Sequence, residues 1–196
     1  MKESFLFLAD GFEEIEALTA VDVLRRAGMP VRTVSISASP LVTGAHGITV
    51  KADVLYDNTL FSNPGWLILP GGLPGADNLH DFAPLLGLLQ RQLESADGRI
   101  AAICAAPAVV LGVEGMLKGR RATCYPGFEN KLLGAEYVDT AVVADDKFVL
   151  GNGPASALKW ALSIVASELG EEKSFNIANQ MLFYPVSDEN PDNIFG

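Results

Sequence analysis

Four short apolar runs, at residues 4–9, 31–37, 66–69 and 100–103, each stand before a turn and three of them before a stretch with helical spacing. Near-continuous apolar runs of this length read as strands buried on both faces, which is the pattern of a parallel sheet. From Glu13 the spacing of Ala17, Ala20, Val21, Leu24 and Ala27 predicts an amphipathic helix, with acidic residues in its first turn and Arg25-Arg26 in its last. Gly28 and Pro30 stop it. With the run at 31–37 this makes a βαβ unit, whose crossover is expected to be right-handed.

Residues 39–63 read as a short hairpin and a loop, and Pro70-Gly71-Gly72 as a sharp turn before a leucine-rich helix over about 83–96. A helix follows Cys104 directly and runs to about residue 113. Residues 121–124 read as a strand, 128–133 as a short helix, and 142–144 with 148–150 as a hairpin around Asp145-Asp146-Lys147. A long apolar helix ending near Leu169 and a last one over 172–181 complete the pattern. Strands alternating with helices make this an α/β chain, a doubly wound, mostly parallel sheet with helices on both faces.

The 196 residues suit one domain with a large core, expected over residues 1–185, with residues 186–196 as a loosely held tail. Hydrophobic residues make up 49% and charged residues 19%, the balance of a soluble globular protein. A net charge of −10 argues against nucleic acid or an anionic membrane as partner, since both need clustered Lys and Arg. No apolar stretch reaches the length of a membrane span, and the run at 5–9 is too short for a secretory leader. Two cysteines, Cys104 and Cys124, are then expected as free thiols in a reducing, cytoplasmic setting. His46 and His80 stand far apart without a ligand pattern, so no metal is expected.

Cys104 ends a buried strand where a helix begins, the mechanics of a nucleophile elbow. The unpaired N–H groups of a helix start favour a thiolate, although a buried cysteine is also a common inert core residue. In a doubly wound sheet ligands bind beyond the carboxyl ends of the strands, where residues 11–16, 70–75 and 104–107 converge. Glu13 and Glu14 are accounted for by a solvated helix face. Glu16, beside Ile15 and Ala17, is the carboxyl expected to meet the thiol; one of the two then holds a proton, and where Glu16 keeps it the carboxyl donates to the thiolate, lowers the thiol pKa and can still shuttle protons. The N–H groups of Gly71, Gly72 and Ala105 are candidate oxyanion donors, while a tight turn alone would also explain the glycine pair.

Residues 9–16, 23–28, Leu69-Pro70-Gly71-Gly72 with Gly75-Ala76, residues 101–107 and Gly151-Asn152-Gly153-Pro154 together resemble the ThiJ/PfpI superfamily, in the branch of the Parkinsonism-associated DJ protein and its bacterial ThiJ-like relatives. The resemblance implies a flavodoxin-like α/β/α sandwich, a homodimer, Cys104 as the reactive thiol and Glu16 as its hydrogen-bonding partner. It also implies cofactor-free glyoxalase or deglycase chemistry on small dicarbonyls or glycated adducts, with peroxide sensing through a Cys104 sulfinate or a holdase-like chaperone role as alternatives. Ala105 stands where protease-like relatives carry a histidine, and no histidine follows His80, so peptidase and glutamine amidotransferase chemistry are not expected. Tyr125 stands where a histidine is frequent near the thiol, and His46 lies in a loop that approaches the site across the dimer in relatives. Both are accessory candidates. For His46 an exposed loop histidine is the competing reading, and Cys124 reads as a packed strand cysteine or a second thiol.

Overall fold

A computed structural model describes residues 1–183. Seven strands form the main sheet: β1 (Ser4–Leu8), β2 (Val31–Ser35), β3 (Val54–Leu55), β4 (Trp66–Leu69), β5 (Arg99–Ile103), β6 (Val142–Ala144) and β7 (Phe148–Gly151). Their order is β6-β7-β5-β4-β1-β2-β3, and every pairing is parallel except β6 with β7. The helices are α1 (Glu14–Arg26), α2 (Gly75–Asp81), α3 (Ala83–Glu94), α4 (Ala157–Leu169) and α5 (Glu171–Gln180). None is long and apolar enough to cross a membrane.

The period of two along each strand divides one apolar run between two cores. On β1, Leu6 and Leu8 face α1 and α4, where Ala17, Leu24, Trp160, Ile164 and Val165 are buried. Phe5 and Phe7 face the other way, toward Leu85, Leu88 and Leu89 of α3. This double burial explains why the strands lack polar alternation.

The chain moves from β1 to β2 on one side, then returns across β1 to β4 and continues to β5 on the other. The reversal leaves a crevice between the carboxyl ends of β1 and β4, the place where such sheets bind ligands. Cys104 follows β5, next to β4.

Several expectations are corrected. The segment after Cys104 does not enter an α-helix at once. A turn over Ala105-Ala106 leads into a π-helical stretch, Pro107–Gly112, in which the Val113 N–H donates to Ala108 O at 3.1 Å. Pro107 has no N–H to close the first α-helical turn, and wide π turns recur at functional sites. Residues 75–81, for which no element is predicted, form α2, and Val54–Leu55 adds an edge strand that its two-residue length hid. Arg121–Ala122 pairs with Glu136–Tyr137 in a separate small parallel ladder, and the short helix shrinks to one turn at Glu129–Lys131. The hairpin is Leu41–Thr43 with Thr49–Lys51. The tail expected at residues 186–196 lies outside the described residues.

Candidate active site

Cys104 has φ +65°, a left-handed conformation that costs a non-glycine residue about 1–2 kcal/mol. Hydrogen bonds on both sides hold it there: its N–H donates to Gly151 O at 3.0 Å, and its carbonyl accepts from the Tyr125 N–H at 2.8 Å. The side chain is 8% exposed and forms part of the wall of a cavity of about 270 Å³. Ala105, Glu13, His46, Tyr125 and Phe128 also face that cavity. Two larger depressions, of about 690 and 600 Å³, lie by Arg99 and by Arg120, and neither contains a thiol.

Backbone N–H groups of Gly72 and Ala105 point at the sulfur and favour its anion. Gly71 is used differently from the expected oxyanion role. Its N–H donates to Glu16 Oε2 at 2.7 Å, so it orients the carboxyl and is not free for a substrate oxygen. Any side chain at Gly71 would place its Cβ 2.6 Å from the Cys104 Cβ and 2.9 Å from Glu16 Oε2. Close approach, rather than turn geometry alone, demands the glycine. At Gly72, φ +89° and a Cβ position 2.5 Å from Gly11 O impose the same residue.

Glu16 is fully buried in the first turn of α1 and interacts directly with the thiol. Its Oε1 has no hydrogen-bond partner of normal geometry. Burial pushes its pKa up to about 7, against the lowering effect of the Gly71 N–H and the Cys104 thiol. Burial, and then the negative charge of Glu16, push Cys104 up to about 12. A lowered thiol pKa is expected for the case in which Glu16 keeps the proton; an ionised Glu16 acts in the opposite direction. An ionised Glu16 opposes a second charge beside it, so the pair holds a carboxylate next to a thiol, poised for proton transfer during attack.

Glu13 and Glu14 are not on a solvated face: they are 6% and 4% exposed. Glu13 caps α1 by accepting the Glu16 N–H at 2.7 Å through Oε2. Glu14 turns to the hairpin, where Oε1 accepts the His46 N–H at 2.7 Å and Oε2 lies 2.8 Å from His46 Nδ1. Burial alone would raise Glu14, but these hydrogen bonds hold it below the usual carboxylate range. The same contact, with the Glu14 charge, raises the His46 pKa.

His46 lines the cavity of its own chain. The backbone explains this placement: Ala45 N–H donates to Phe12 O and Gly11 N–H to Thr43 O, both at 2.8 Å. Glu13, Glu14 and His46 bring ligand-type atoms within 4.8 Å of one another; Glu14 and His46 are hydrogen-bonded, and Glu13 Oε1 stands 4.0 Å from His46 Nδ1. Glu13 and Phe128 are the site residues that sequence reasoning missed. The available signal for Glu13 was its position three residues before Glu16, the spacing of a helix cap. Cys124 is fully buried and lies outside the cavity wall.

The sequence profile of the DJ-1/PfpI family matches residues 2–167. The chain belongs to that family. Protein DJ-1 homolog B of Arabidopsis thaliana is 37% identical over 186 residues, 94% of this chain and 42% of the plant protein. The chain thus spans less than half the length of that relative. A glutathione-independent glyoxalase of Caenorhabditis elegans is 35% identical over 83% of this chain and 86% of its own, and a deglycase of Pyrococcus horikoshii is 32% identical over 84% and 98%. Oxidized Toxoplasma gondii DJ-1 superposes with a TM-score of 0.89 at 34% identity, covering 94% of this chain and 100% of that one. Among these DJ-1/PfpI relatives the flavodoxin-like α/β sandwich is shared.

Proposed function

We propose that the protein is a cofactor-independent glyoxalase or deglycase acting on small dicarbonyls or their adducts through Cys104. The observation that carries this reading is the buried Cys104–Glu16 pair at a strained elbow facing a cavity. In the reaction the sulfur adds to the aldehyde carbon of a 2-oxoaldehyde such as methylglyoxal. The thiol proton passes to the Glu16 carboxylate and from there to the carbonyl oxygen, which gives a hemithioacetal and restores the carboxylate. A base with pKa near 7 suits this transfer at neutral pH. Gly72 and Ala105 N–H groups stabilise negative charge developing near the sulfur. A proton shift from C1 to C2 turns the hemithioacetal into a thioester of the 2-hydroxy acid, and water releases the acid and the thiol. Names given to two relatives, a glyoxalase and a deglycase, support this class.

The test is lactate formation from methylglyoxal by reduced protein without glutathione. Wild type turns over and Cys104→Ala does not. Absence of lactate in wild type overturns the proposal.

The same sulfur environment supports a second reading, peroxide sensing. Two N–H donors and a buried carboxyl surround the position of a Cys104 sulfinate. Intact mass after mild peroxide treatment would show two oxygens on Cys104 alone, whereas earlier oxidation of Cys124 would refute it.

A homodimer in the cytoplasm completes the reading. Ile15 and Leu18 on α1 are 57% and 42% exposed, and Ile48 of the neighbouring hairpin is 54% exposed, an apolar patch suited to a second copy.

A further inference from the structure

The proposed reaction needs a group that moves a proton from C1 to C2 of the bound substrate, a step separate from the thiol proton transfer that Glu16 serves. Glu16 is fully buried, with one oxygen taken by the Gly71 N–H, and its contact is with the Cys104 thiol, whose proton it handles during attack. The titratable groups that do line the cavity beside Cys104 are Glu13, His46 and Tyr125. A phenol is a weak base at neutral pH. Glu13 and His46 face each other, with Glu13 Oε1 4.0 Å from His46 Nδ1. Glu13 Oε2 is held by the Glu16 N–H, which fixes the carboxylate and leaves Oε1 toward the cavity. His46 Nδ1 is held by Glu14, which leaves Nε2 as the free ring nitrogen.

We infer that Glu13 and His46, which face each other at the cavity wall, form a second acid/base pair that carries out the C1-to-C2 proton transfer. This assignment rests on the glyoxalase reading. Starting from the hemithioacetal, Glu13 Oε1 takes the proton from C1 while the His46 imidazolium gives one to the oxygen on C2. The electron pair of the C1–H bond becomes the C1=C2 bond of an enediol, and the C2=O π pair becomes the new O–H bond. Protonated Glu13 then returns its proton to C2, and neutral His46 takes the hydroxyl proton from the C1 oxygen. The product is the thioester of a 2-hydroxy acid, with both residues restored and no net oxidation. A carboxylate working at carbon with an imidazole working at two vicinal oxygens is a known solution for such isomerisations. The hydrogen bond that Nδ1–H donates to the Glu14 carboxylate favours the imidazolium that the first step requires.

The experiment compares wild type with Glu13→Gln and His46→Ala in two assays: lactate from methylglyoxal, and alkylation of Cys104 by iodoacetamide. Gln retains an oxygen to cap α1, so the fold and the Glu16 position persist. Expected is a loss of kcat of about 10²–10⁴-fold in both variants, the usual effect of removing an acid/base group, with alkylation rates near wild type. The His46 side chain is 70% exposed, so free imidazole can enter the mouth of the cavity and is expected to restore turnover to His46→Ala but not to Glu13→Gln. Full kcat in either variant, or failure of imidazole to rescue His46→Ala, overturns the assignment while wild-type turnover keeps the glyoxalase reading intact. A wild type that makes no lactate overturns that reading itself.

Discussion

The two cysteines of this chain share almost every property a thiol can have except what surrounds the sulfur. Both are free and buried, and burial pushes Cys104 up to about 12 and Cys124 up to about 11. Each also lies near a carboxylate that raises it further, Glu16 for Cys104 and Glu129 for Cys124. By acidity alone both are inert. The difference lies in the partners. Cys104 sits on a left-handed backbone beside a buried carboxyl of pKa about 7, under two N–H donors and against a cavity. Cys124 lies in the core on the α3 side of the sheet with Ala122, Phe148 and Leu150, and does not line the cavity that Cys104 faces. What separates the two thiols is thus a carboxyl in direct contact, N–H donors at the sulfur and a cavity before it, not burial.

The sharpest way to break the comparison is to remove the base. Glu16→Gln keeps the shape and an oxygen for the Gly71 N–H but cannot accept a proton. Alkylation of Cys104 by iodoacetamide at neutral pH is expected to fall by about 10²–10⁴-fold, toward the rate of Cys124. In wild type that rate should rise with pH through about 7, as Glu16 ionises, and the inflection should vanish in Glu16→Gln. Peptide mapping by mass spectrometry reads each cysteine separately. An unchanged Cys104 rate would mean that the thiol reacts without help from the carboxyl.

The same contrast shows what was legible in the sequence. The Cys104 elbow, the doubly wound sheet and Glu16 as the facing carboxyl could be read because each depends on local pattern: an apolar run, a turn and a helix start. Burial of Glu13 and Glu14 was not readable. Acidic residues in a first helical turn have an ordinary explanation in the helix dipole, and only the hairpin at Leu41–Lys51, folding back onto Phe12 and Glu14, takes them out of water. The destination of the Gly71 N–H and the reach of His46 into the cavity are likewise tertiary facts, set by contacts between segments 55 and 32 residues apart. The π-helical start after Pro107 was hidden because small apolar residues suit either helix.

A smaller effect sharpens the comparison through stability. Glu16 ionises near 4.5 in a solvated chain and near 7 when folded. Between those values the folded protein holds a proton that the unfolded chain has released, so the raised pKa favours the unfolded state as pH climbs. The stability in question is complete below about pH 4.5 and is lost by about pH 7, a change of about 3 kcal/mol at 1.36 kcal/mol per pKa unit. Urea unfolding at pH 5 and pH 8 should show wild type losing about that much relative to Glu16→Gln, whose side chain does not titrate. Parallel pH dependence in the two proteins would show that Glu16 is solvated in solution.

The smallest effect belongs to Cys124. Replacing it with Ala removes one buried sulfur from the core on the α3 side and leaves a small void, a loss of about 1–2 kcal/mol by comparison with other buried truncations of similar size. Because its side chain neither lines the cavity nor touches Glu16, methylglyoxal turnover and the Cys104 alkylation rate should stay at wild-type levels at temperatures where the variant is folded. A Cys124→Ala protein that kept its stability but lost turnover would reverse the distinction between the cysteines, because the packed thiol would then be acting on the site through more than its volume.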